Sequence, residues 1–280
     1  MHSKADKLPG IVLFMTFMLA FSLSPAWADN AEVVVFADDS FPPYSYGEGC
    51  EVEGIYTEIL RKAFSRMNGY AVTIKALPWK RGLYKLEKGV GFALYPPYYL
   101  PDERPYMDYS IPIYRDEIIV FTTENLMARL PFKPQWPKDF YGLRAGMNLG
   151  FAIGGNEFRD AVNKGSITLI ETKGNEENLR GLINGYIDFY VNDRTAIMAG
   201  INALKRKGLY DGGVSQARLV EGLTVSSEYA YLGYTNTDNG LFPFKKNFME
   251  QFNAIIEDMH KKKEISRIVT EYLEKEHVSF

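Results

Sequence analysis

Arg104 is the residue of this sequence best placed for recognition chemistry. It closes the run Tyr95-Pro96-Pro97-Tyr98-Tyr99-Leu100-Pro101-Asp102-Glu103-Arg104, which begins where the apolar stretch Phe92-Ala93-Leu94-Tyr95 reads as a strand ending. The prolines exclude a regular helix or ladder, so the backbone forms a fixed irregular loop. A guanidinium held by a rigid, aromatic-walled loop can grip a carboxylate through two parallel N–H bonds at low ordering cost. The plainer alternative is a surface pair with Asp102, Glu103 or Asp108. A second cation, Arg144, stands two residues before Gly146 at what reads as a strand end. There it is expected to face a cleft at the carboxyl edge of a sheet, and burying it demands a partner. The partner is either a ligand anion or one of Asp38, Asp39 and Asp193.

Other chemistries are poorly provided for. The histidines are His2, His260 and His277, and Cys50 is the only cysteine. No Ser/His or Cys/His arrangement can be assembled from them, no internal disulfide can form, and the same scarcity argues against a His-containing zinc site. The carboxylates show no metal-binding spacing, and no cofactor is expected. Gly150-Phe151-Ala152-Ile153-Gly154-Gly155 lacks the spacing of a nucleotide-binding loop. A net charge of −3 without a basic block gives no footprint for nucleic acid. The nearest candidate for an acid/base residue is Glu58.

The first residues combine a polar start containing Lys4 and Lys7, an apolar core from Ile11 to Leu23, and Ala26-Trp27-Ala28. This reads as a cleavable secretory signal peptide over residues 1–28, too short in its apolar core for a membrane anchor. An exported chain without disulfides suits a bacterial periplasm.

The elements that must position Arg104 alternate between strand and helix signals. Glu32–Ala37 is a nearly continuous β-branched run, which fits a buried parallel strand. A loop over residues 38–45 precedes a helix at 56–67 whose Ile59, Leu60, Ala63, Phe64 and Met67 share a face. A strand at 71–76, a helix at 80–88 and a strand at 92–95 complete a βαβαβ unit. Its loops after the first and third strands fall at the carboxyl edge, where ligands bind in open α/β sheets. A second unit follows: strands near 117–123, 142–146, 167–171 and 187–191, with helices near 157–162, 176–184 and 195–207. Asn175 reads as the N-cap of the middle helix. A strand-like run at 229–234 and two amphipathic helices close the chain, with Phe248, Phe252, Ile255, Ile256 and Met259 on one and Ile265, Ile268, Val269, Tyr272 and Leu273 on the other.

The ordered set Phe41-Pro42-Pro43-Tyr44, Gly54-Ile55-Tyr56-Thr57-Glu58, Pro78-Trp79, Pro101-Asp102-Glu103-Arg104, Tyr109-Ser110 with Pro112 and Tyr114, and Asp188 with Asp193 resembles bacterial extracellular solute-binding protein family 3. The resemblance spans essentially the whole mature chain. It implies a two-lobed periplasmic binding protein fold, each lobe a mainly parallel sheet flanked by helices, joined by two hinge strands. Lobe 1 would hold residues 29–114 and 227–280 and lobe 2 residues 115–226, with crossings near 113–117 and 219–226. It further implies a monomeric receptor that passes a polar amino acid to the permease of an ABC importer.

By resemblance, Arg104 clamps the ligand α-carboxylate, Asp193 takes the α-amino group, Phe41 and Trp79 sandwich the side chain, and Asp38 meets its far end in relatives for basic amino acids. Each has a structural alternative: loop packing for the aromatics, a turn cap for Asp38, a helix N-cap for Asp193. Where relatives carry small hydroxyl residues this chain has Pro96, Pro97 and Tyr99, and Met147 and Asn148 after Gly146. Tyr99 and Asn148 are then the candidate replacement donors. With Arg144 at the cleft, the ligand is expected to carry a negative group beyond, or in place of, the amino-acid carboxylate. Cyclohexadienyl dehydratases resemble the same scaffold and supply an enzymatic alternative, and a receptor reporting to a membrane signalling partner is a third.

Overall fold

The computed structural model describes His2, residues 30–48 and residues 51–275, so the expected signal peptide and Cys50 lie outside the described residues. The chain opens with β1 (Ala31–Asp38), followed by three short strands, β2 (Ser40–Phe41), β3 (Ser45–Glu48) and β4 (Glu51–Glu53). Next come α1 (Ile55–Phe64), β5 (Tyr70–Leu77), α2 (Trp79–Glu87), β6 (Ala93–Tyr95) and β7 (Met107–Tyr109). The chain then crosses on β8 (Tyr114–Thr123) to a second body. There it forms α3 (Glu124–Met127), a 3-10 turn at Lys138–Phe140, β9 (Arg144–Asn148), α4 (Asn156–Asn163), β10 (Thr168–Thr172), α5 (Asn175–Ile183), β11 (Phe189–Asp193) and α6 (Arg194–Arg206). It returns on β12 (Leu219–Ala230) and ends with β13 (Gly233–Thr235), α7 (Lys245–Lys261) and α8 (Glu264–Lys275).

Each body is built on a five-stranded sheet, in the order β5-β1-β6-β13-β7 and β10-β9-β11-β8-β12. β1 pairs in parallel with β5 and β6, and β9 with β10 and β11. The other pairings are antiparallel. The sheets are therefore mixed rather than mainly parallel, because strands on either side of each crossing return beside the parallel core. β8 and β12 pair with each other along nearly their whole length. They reach back to lobe 1, where Ile113 N donates to the Ala230 carbonyl at 2.9 Å and Tyr231 N to Pro97 at 3.0 Å.

The expected apolar stripes make the core of lobe 1. Phe64 meets Phe248 and Phe252 at 5.9 and 5.8 Å between ring centroids, and Ile256, Met259, Ile265 and Val269 are buried. Two expectations shift. The expected loop after β1 folds into the antiparallel sheet β2-β3-β4, whose strands were too short for a periodic signal. Asn175 is the first residue of α5, not its cap. Its side chain is committed to Pro42, Asn148 and Tyr190 instead.

Candidate functional site

The carboxyl ends of the parallel strands of both sheets face one another across a closed cleft. From lobe 1, β1 leads to Phe41, β5 to Trp79, and β6 to Pro96, Tyr98 and Arg104. From lobe 2, β9 leads to Phe151, Ala152 and Ile153. These residues line a common cavity of about 20 Å³, room for about one water. Several contacts hold the lobes together. Trp79 Nε1 donates to the Gly150 carbonyl at 3.2 Å, Asn175 Nδ2 donates to the Pro42 carbonyl at 2.9 Å, Lys80 lies 3.6 Å from Glu171, and Arg159 pairs with Glu103. Gly150 is required here: its φ is +81°, and a Cβ would lie 2.7 Å from Lys80 Cγ.

Arg104 is 5 % exposed, and its guanidinium lies over the Trp79 ring, 5.5 Å from the centroid. Among the described residues none of the acids expected as surface partners pairs with it. Glu103 goes to Arg159 and Asp108 meets Asn236. Burial pulls the guanidinium below its ordinary pKa, partly offset by the Tyr109 and Tyr106 hydroxyls. Nη1 is buried without a hydrogen-bond partner. Since arginine does not give up its proton in proteins, the cavity contains a desolvated positive charge with an open donor.

The acidic end is separate. Asp193, 1 % exposed at the end of β11, caps α6 by accepting from Ala196 N at 2.9 Å and also accepts from Glu117 N at 3.2 Å. Beside it Asp116, equally buried, accepts from Tyr56 at 2.9 Å and Tyr98 at 3.0 Å. Both acids line a cavity of about 380 Å³ together with Tyr44, Tyr114 and Thr195. Burial pushes Asp193 up to about 7, and burial together with the Asp193 charge holds Asp116 well above the usual carboxylate range. Phe41 packs 5.1 Å from Tyr44, so the two cavities share an aromatic wall.

Three expected site residues lie elsewhere. Arg144 is the first residue of β9, so it sits at the amino edge, opposite the cleft. It is held by Asp188 through Nε at 3.0 Å and Nη2 at 2.8 Å, which also holds Asp188 below the usual carboxylate range. The strand starts later than the apolar pattern suggested, and that reverses the end at which Arg144 falls. Tyr99 is 57 % exposed and packs on Tyr109 and Tyr231 outside the cavity, while its neighbour Tyr98 turns inward. Asn148 is buried behind the cleft, where it donates to Asn175 at 3.0 Å and accepts from Asn178 and Tyr190. It orients Asn175, which reaches across to Pro42.

Asp38 is buried at the end of β1, pushed up to about 7 by burial, and accepts from Ser40 N at 3.0 Å as a turn cap. Glu58 is on α1, 3.6 Å from Arg61 and lining an outer groove rather than the cleft. Among the described residues no group of three His, Cys, Asp or Glu gathers to hold a metal.

The sequence reading missed Asp116, Tyr98, Tyr44 and Phe151. Asp116 was findable, because the period-2 alternation of the crossing strand sends Arg115 and Glu117 outward and Asp116 inward. Phe151 follows Gly150 just past a strand end, an apolar residue where a ligand-facing loop begins.

At the sequence level no curated protein matches the chain. Solved structures do. A histidine kinase sensor domain with similarity to periplasmic binding proteins superposes with a TM-score of 0.69 at 16 % identity, covering 88 % of this chain and 97 % of that one. An arginine third transport system periplasmic binding protein from Legionella pneumophila gives 0.65 at 15 % identity over 86 % and 99 % of the two chains. The ancestral amino acid-binding protein AncCDT-1, a precursor of cyclohexadienyl dehydratase, gives 0.62 at 14 % identity over 86 % and 95 %. At these identities the likeness establishes the two-lobed α/β fold. The profile of the bacterial extracellular solute-binding proteins, family 3, matches residues 33–275, and the chain belongs to that family.

Proposed function

We propose that this protein is a monomeric periplasmic receptor that captures an amino acid or related small carboxylate between its lobes and delivers it to the permease of an ABC importer. The buried Arg104 carries the reading: a desolvated guanidinium with an open Nη1 is complementary to a carboxylate and costly without one. Trp79 supports Arg104 from below and bonds across to Gly150, so binding at Arg104 is coupled to lobe closure. Asp193, with Asp116 beside it, is the acceptor for a ligand ammonium reaching past Tyr98. With Arg144 outside the cleft, the reason to expect an additional negative group on the ligand is gone.

Binding is favoured over dehydratase chemistry because Glu58, the acid proposed for proton transfer, stands on the outer face of lobe 1. The test is a thermal-shift screen of amino acids and small carboxylates with calorimetry on the hits, repeated on Arg104→Ala. Hits that bind both proteins equally remove Arg104 from the site, and turnover of prephenate or arogenate restores the enzymatic reading. Uptake in vesicles carrying an ABC permease separates an importer from a sensor, the alternative that the sensor-domain likeness keeps in view.

A further inference from the structure

Phe151 of lobe 2 meets both aromatic residues assigned to the ligand. Its ring lies edge-on to Phe41 at 5.1 Å and 89°, and edge-on to Trp79 at 6.1 Å and 74°. These are favoured aromatic geometries. The backbone that presents it is fixed on both sides: Phe151 N donates to the Asn148 carbonyl at 3.0 Å, and the preceding Gly150 carbonyl accepts from Trp79. The ring thus arrives with the lobe as it closes, and the space left beside Arg104 is about 20 Å³.

We infer that Phe151 sets the specificity of the cleft by filling the slot between Phe41 and Trp79, which restricts the Arg104 site to carboxylates with little or no side chain. The inference rests on the reading of the cleft as a carboxylate site. A ligand such as glycine, alanine or a short-chain acid has no side chain to seat between Phe41 and Trp79, so it reaches Arg104 with the least displacement of the ring. Leucine, phenylalanine or arginine must expel Phe151 and loses the Gly150 and Phe41 contacts that close the lobes. Replacing the ring by a methyl group opens a hole large enough for such side chains, since engineered apolar cavities of about 150 Å³ accept benzene.

The experiment measures affinities of glycine, alanine, acetate, leucine, phenylalanine and arginine for the wild type, Phe151→Ala and Phe151→Leu, with far-ultraviolet circular dichroism to verify folding. Wild type should prefer the first three. Phe151→Ala should gain on the order of 10- to 100-fold for leucine and phenylalanine relative to glycine. Phe151→Leu, which keeps most of the apolar volume, should fall between them and serves if the alanine variant does not fold. Equal or better wild-type binding of the large ligands, or the same ranking in the variants, overturns the inference. Arg104→Ala then separates the two levels. Loss of that binding keeps the carboxylate site and discards only Phe151, whereas absence of any Arg104-dependent binding across the panel discards both.

Discussion

The Tyr98 hydroxyl donates to Asp116 Oδ2 at 3.0 Å while the same side chain lines the cavity of Arg104. One phenol therefore separates the buried cation of the cleft from its buried acids. A zwitterion that engages both ends must therefore reach past this phenol.

Arg104→Ala should weaken a carboxylate ligand by about 2–5 kcal/mol, much of it from leaving the ligand charge buried and unpaired. Arg104→Lys should recover only part, because an ammonium makes no planar fork and stacks less well on Trp79. Calorimetry on the two variants checks the order, and full recovery by lysine would mean that charge alone matters.

Stability should fall as pH rises from about 4 to about 7. Burial raises Asp38 and Asp193 to about 7 from the ordinary carboxylate value. In that window the folded state binds more protons than the unfolded state, so raising the pH favours unfolding. For Asp38 alone the effect is at most on the order of 4 kcal/mol. Asp38→Asn should flatten the melting temperature between pH 5 and 7.5, and an unchanged slope would show that the Asp38 carboxyl is not held protonated.

A ligand that carries an ammonium should bind more tightly as pH rises through 7. The Asp116 and Asp193 pair retains a proton at neutral pH, and an ammonium needs the ionised form, so binding expels a proton. With one proton released, affinity should rise by up to tenfold per pH unit below the folded pKa. Calorimetry in two buffers of different ionisation enthalpy reads the proton directly, and a buffer-independent heat would take the pair out of the binding event.

Arg144→Gln should leave ligand affinity unchanged. The pair with Asp188 is partly exposed, with side chains 43 % and 27 % accessible, so its loss should cost about 1 kcal/mol or less of stability. A selective loss of acidic ligands in this variant would return Arg144 to the cleft.

The fold was legible because its strands and helices have long, well-separated apolar periods, from Glu32–Ala37 to the stripes of the last two helices. The Arg104 loop was legible because prolines fix it locally. Arg144 was misread because a shift of two residues in where β9 starts moves it to the other edge of the sheet, whereas Tyr99 lies in the irregular loop after β6, where no period tells which of Tyr98 and Tyr99 turns inward. Phe151 was invisible as a site residue because its role comes from the opposite lobe, where Phe41 and Trp79 lie more than 70 positions earlier in the chain.

The position of β13 between β6 and β7 imposes an order on assembly. Thr235 must be present before the first sheet has all its strands, because β6 and β7 do not pair with each other and only β13 bridges them. Lobe 2 needs nothing beyond Ala230 to complete its sheet. A chain emerging from its N-terminus can therefore finish its second lobe while the first still waits for a strand, and the half that carries Arg104 becomes competent last.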